Sequence, residues 1–111
     1  MFGLFAPPVS FRAQTGQTGQ LYIDLPGIEP GREKTVLRAL GRMGRVRVRS
    51  KSHDFGQVRV EFHAAFESYS LHCNGGGGFI RGESGGDEIA KMLNFMRKSR
   101  RFREIETKRK K

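Results

Sequence analysis

The chain has 111 residues, 36% of them hydrophobic with nine Phe, enough to build one core and not two. Twenty-one Lys and Arg against eleven Asp and Glu give a formal charge of +10, so the partners to expect are anionic: nucleic acid, an acidic protein surface or an anionic membrane. A single cysteine, Cys73, excludes an internal disulfide and fits a reducing, cytoplasmic setting.

Residues 1–8, MFGLFAPP, form an apolar extension. No basic segment precedes it, and Pro7-Pro8 cut it far short of the roughly 18 apolar residues a spanning helix needs, so neither signal peptide nor membrane span is expected. The domain proper is placed at 9–102. Val9, Phe11 and Ala13 alternate, as do Leu21, Ile23 and Leu25, and the TGQTGQ between them predicts a first hairpin. Pro26-Gly27 ends its second strand. Pro30 suits a first helical turn ahead of Val36, Leu37, Leu40 and Met43, and Gly44 suits the C-terminal end of that helix. Lys34, Arg38 and Arg42 repeat every four residues, the pattern of a solvated outer face.

From Arg45 to His63 the chain alternates with period two in both halves. Val46, Val48, Val58, Val60 and Phe62 share one face; Arg45, Arg47, Arg49, Lys51, Arg59 and Glu61 share the other. The spacing predicts a hairpin whose loop is Ser-His-Asp-Phe-Gly, with Asp54 and Gly56 supplying the turn chemistry. Its register is expected to set Val48 against Val60, Val46 against Phe62 and Arg47 against Glu61, leaving Arg49 opposite Arg59. Like charges so opposed are destabilising unless water or an anion separates them, which singles out this face as an anion site.

Residues 64–73 fit two periods: Tyr69, Leu71 and Cys73 make the inner face of a strand, while Ala65, Phe66, Tyr69 and Cys73 make a helical stripe. The Ser, Tyr and Phe content favours the strand. Gly75 to Gly78 carries neither a dinucleotide fingerprint nor a P-loop and reads as a flexible linker. A helix follows from about Asp87, capped by Ser84 or Asp87, with Ile89, Met92, Leu93 and Met96 inward, fraying through KSRRFRE into a basic disordered tail, 103–111. Arg97, Lys98, Arg100, Arg101 and Arg103 form a second basic cluster. Phe79, isolated among glycines, and Phe55, at the hairpin tip, are the aromatics least explained by a core.

Leu21-Tyr22-Ile23 is an aliphatic–aromatic–aliphatic triplet, and GQVRVEF places Gly56, Val60 and Phe62 at three positions of a glycine–aromatic strand motif. With the intervening LRALGRMG and RVRVRS, roughly residues 21–83 resemble an RNA recognition motif. That resemblance implies a βαββαβ sheet with helices on one face and bases stacked on the other. Gln57 and Arg59 occupy the motif's two stacking positions, so among its aromatics Tyr22 is the one in place. The alternation by itself predicts an α+β fold, a single antiparallel sheet with about two helices on one face, in ferredoxin-like or ββαβββα order.

No catalytic or metal constellation emerges. His53, His63, His72 and Cys73 match no zinc spacing, and His72 and Cys73, as neighbours in a strand, point to opposite faces. Cys73 reads as a small buried hydrophobe, and no spacing pairs two acids for hydrolysis. No cofactor is implied. The expectation is a non-catalytic nucleic-acid-binding domain, RNA or single-stranded DNA favoured. Arg45, Arg47, Arg49, Lys51 and Arg59 would contact phosphates, while Tyr22 and Phe55 stack on bases. The rival is an adaptor or inhibitor using the same face on an acidic or nucleic-acid-binding protein.

Overall fold

Alternation along the chain becomes a sheet with one dry face and one open face. The computed structural model describes residues 8–28, 31–42, 44–83 and 87–105. Among them the strands are β1 (Val9–Thr15), β2 (Leu21–Pro26), β3 (Arg47–Asp54), β4 (Gln57–Ala64), β5 (Glu67–Asn74), β6 (Gly77–Gly82) and β7 (Phe102–Glu104). Helix α1 (Glu33–Leu40) follows β2, and α2 (Asp87–Lys98) follows β6. The strands form one sheet in the order β3-β4-β5-β6-β2-β1-β7. Every pairing is antiparallel except β1 with β7, which is parallel, so the fold is α+β with a mixed sheet.

The ferredoxin-like order is not the one found. That order needs a helix where residues 64–74 stand, and Tyr69, Leu71 and Cys73 instead alternate into β5 and are buried. Two strands, β5 and β6, therefore separate β4 from the strand bearing Tyr22. Tight turns drive this meander. Phe55-Gly56 (φ 51° and 75°) and Ala65-Phe66 (φ 51° and 70°) have positive φ at both positions, the twist that suits two-residue hairpins. Gly75-Gly76 makes the next turn, and Gly77-Gly78 begin β6, so the glycine run is turn and strand rather than a linker. A side chain at Gly78 would strike the His72 carbonyl and come within 2.6 Å of Ile28 Cγ2.

Both helices lie on the dry face. Val36, Ala39 and Leu40 of α1 and Ile89, Met92, Leu93 and Met96 of α2 are buried against Phe11, Ile23, Leu25, Val58, Val60, Phe62, Tyr69, Leu71 and Ile80. The Tyr69 hydroxyl donates to the Glu88 carbonyl at 2.8 Å and ties α2 to mid-sheet, and Phe62 stacks on Tyr69 with centroids 5.5 Å apart. Helix α1 stops at Leu40, where the Gly41 amide bonds the Leu37 and Arg38 carbonyls; Gly44 lies beyond it, against Ala65. Met43, Pro30 and Ser84 lie outside the described residues. Helix α2 does not fray onward: Phe102 packs edge-on to Phe11, and Arg103 and Glu104, expected in the tail, pair with β1. Ile105 still donates to the Phe11 carbonyl. Residues 1–7 and 106–111, which hold most of the extension and tail, lie outside the description.

The β3–β4 register departs from expectation by three residues near the turn and by two beyond Arg49. The two-residue turn sets Asp54 against Gln57, hence Ser52 against Arg59 and Lys51 against Val60. A bulge at Arg49 then restores parity, giving Val48 opposite Phe62 and Arg47 opposite His63. Strand β4 keeps its alternation, but the bulge inverts that of β3, so Arg47 and Lys51 fall on opposite faces; the two-residue turn and the bulge are what alternation alone does not specify. Val58, Val60 and Phe62 are buried as expected, Val46 is half-buried, and Val48, on the edge strand, remains 53% exposed.

Candidate functional site

The open face owes its character to residues that alternate against the core. Opposed pairs run in one row across six strands: Ser52, Arg59, His72, Phe79, Asp24 and Arg12. A second row holds Ser50, Glu61, Ser70 and Arg81. Strand β5 supplies His72 because Leu71 and Cys73 go inward; β6 supplies Phe79 and Arg81 because Ile80 does. The Phe79 ring stacks on His72 with centroids 4.5 Å apart and planes 12° from parallel, and Tyr22 meets Phe79 edge-on at 6.1 Å. Three aromatic rings are thus contiguous on a half-exposed surface.

Cations surround them. Arg12, Arg47, Arg49, Arg59, Arg81 and, on β7 beside Ser10, Arg103 lie on this face or its rim, against Asp24, Glu61 and Glu83. Arg12 Nε donates to Asp24 at 2.7 Å. Glu61 is shared: it accepts from Ser50 at 3.0 Å, Arg59 at 2.9 Å and Arg49 at 3.3 Å, and Arg49 also lies 3.7 Å from Glu83. The Ser50 hydrogen bond first, and then the Arg59 and Arg49 charges, hold the Glu61 carboxyl below its ordinary range. Burial first, and then Arg59 and Arg81, hold His72 below its ordinary value against the pull of Glu61, which favours the neutral ring; its Nε2 lies 3.1 Å from Ser70 Oγ.

Two hollows flank Phe79, and it lines both. One, about 360 Å³, is bounded by the β1–β2 loop, Tyr22 and Arg81. The other, about 400 Å³, is bounded by Arg59, His72, Asn74 and the hairpin tip with Phe55.

The residues singled out from sequence are dispersed by these facts. Tyr22 and Arg59 sit on the open face, and Arg47 and Arg49 sit at its β3 edge. Phe55 is 94% exposed at the tip. Arg45 is exposed in the segment before β3. Lys51 is on the other side: its register partner is buried Val60, and its ammonium lies 3.0 Å from the Glu33 carboxylate of α1. The second basic cluster divides too. Arg97 makes two bonds of 2.9 Å to Glu104 on the helix side, Arg103 faces the open side, and Lys98, Arg100 and Arg101 are exposed around the α2–β7 turn.

His72, Phe79 and Arg81 were not among the expected site residues. The signal was present in the alternation of LHC and FIR, but without the strand order nothing joined Phe79 to Tyr22. His72 and Cys73 do point to opposite faces, and burial raises the Cys73 thiol to about 11, which leaves it a core residue. Among the described residues no helix is long and apolar enough to cross a membrane. No family model, curated protein or solved structure matches the chain.

Proposed function

We propose that the chain is a non-catalytic domain that binds single-stranded nucleic acid on the open face of its sheet. The observation that carries the reading is the contiguous Tyr22, Phe79 and His72 surface set among arginines. Every base has a π-face, so rings with flanking cations hold a single strand with little regard to sequence. An acidic protein surface would use the arginines and leave the rings unexplained. Bases stacked on an open sheet are also the mode that the resemblance to RNA recognition motifs implies, although of that family's motif aromatics Tyr22 alone is in place. Arg59 and Arg81 are the phosphate contacts nearest the rings; Arg47, Arg49 and Arg103 add attraction at the two edges.

The test is the salt dependence of binding to a labelled single strand. Each phosphate neutralised contributes about −0.7 to the slope of log affinity against log salt. Changing Arg59 and Arg81 together to Gln flattens the slope by about 1.4 and weakens every sequence alike. Lys34 and Arg38, exposed on α1 across the sheet, serve as the control pair. Equal effects from both pairs, or no binding of DNA or RNA at low salt, refute the reading.

A further inference from the structure

The two hollows carry the reading further. Each combines an aromatic ring, an arginine and a volume that accommodates one nucleotide: Tyr22 with Arg81 in about 360 Å³, His72 with Arg59 in about 400 Å³. Phe79 is the one lining residue they share. Strands β2, β6 and β5 are neighbours, so Tyr22, Phe79 and His72 span two strand spacings, about 10 Å. The rings are in contact, at 4.5 and 6.1 Å, so a base fits in the hollow on either side of Phe79 and not between the rings. The first hollow adjoins the β1–β2 loop and the second the β3–β4 tip, so a strand occupying both crosses the sheet diagonally.

Resting on the nucleic-acid reading, we infer that the unit recognised is a dinucleotide step, one base in the Tyr22–Arg81 hollow and the next in the His72–Arg59 hollow, with Phe79 between them. The site size is then set by the sheet, not by total charge. Phe55, which lines the second hollow from the hairpin tip, borders the outer base. Phe66, fully exposed at the β4–β5 turn, lines neither hollow and contributes nothing.

The experiment is competition against labelled dT12 by thymidine monophosphate, the dinucleotide pTpT and the trinucleotide pTpTpT, at low salt and with the full chain. A stacked base is worth roughly 5- to 150-fold in affinity. The dinucleotide should therefore compete at a concentration at least tenfold below the monophosphate, and the trinucleotide should improve on it by less than threefold. Phe79→Ala should bring the dinucleotide to the level of the monophosphate, Tyr22→Ala should weaken it at least fivefold, and Phe66→Ala should leave it unchanged. Far-ultraviolet circular dichroism and the melting temperature establish that each variant is folded. If dT12 binds while the dinucleotide is no better than the monophosphate, the two-hollow site is wrong and the function stands. The site is also wrong if each added nucleotide improves competition equally, as diffuse attraction requires. If dT12 does not bind at all, the functional reading itself fails.

Discussion

Replacing Lys51 with Met separates a structural lysine from a binding one. Lys51 lies in the most cationic strand, yet its ammonium turns to the helix side and meets Glu33 at 3.0 Å. The Glu33 side chain is 4% exposed and also accepts from the Gly31 amide at 2.6 Å. Burial pushes the Glu33 carboxyl up, but its own backbone amide, Lys51 and Gly31 together hold it below its ordinary range. A hydrogen bond to a charged group contributes about 1.5–3 kcal/mol; Lys51 is 42% exposed, and water screening reduces this to about 1 kcal/mol. For a domain of this size that is a fall of about 4–8 °C in Tm at pH 7. The sign with pH follows from the depressed carboxyl. Its stabilisation is present in full above about 4.3, the ordinary glutamate value, and is lost as pH falls through the folded value. The deficit of Lys51→Met should therefore be largest near neutrality and shrink below pH 4. Thermal melts from pH 3 to 7 measure it, with the salt slope of binding read on the same variant. An unchanged Tm, with a slope flattened by about 0.7, would put Lys51 on the open face and refute the β3–β4 register.

Gly78→Ala should lower stability by about 1–3 kcal/mol in urea melts, because the added methyl meets the His72 carbonyl and Ile28 in a packed layer; a variant as stable as the parent would contradict the close approach of β6 to β5. His72 should titrate below 6.5 by NMR, with a midpoint that rises in Arg59→Gln. Since the unfolded chain takes up that proton first, the protein keeps its full stability above about pH 6.5 and loses some as pH falls through the folded value. A midpoint at or above 6.5 would contradict the burial of the ring among cations.

Alternation settled which side of β4 is dry and which stripe of α2 turns inward, and for β5 it offered the inner face found. Val58, Val60, Phe62, Tyr69, Leu71, Cys73 and the four inward residues of α2 are buried where period two and period 3.6 placed them, since local burial needs no knowledge of neighbours. Strand order and register are different, because they depend on turns and on competition between partners. The positive φ of Phe55 and Ala65-Phe66 is unusual for residues other than glycine, so neither two-residue turn was legible. One bulge at Arg49 sufficed to send Lys51 to the helix side. The assembly of the candidate site lies on that second level, although Tyr22 and Arg59 were singled out from sequence. Tyr22, His72 and Phe79 come from three strands separated by up to fifty residues of chain, and each looks like an isolated aromatic in sequence. They become one surface only because β6, after a meander of four strands, closes against β2 and brings Phe79 opposite both Asp24 and His72.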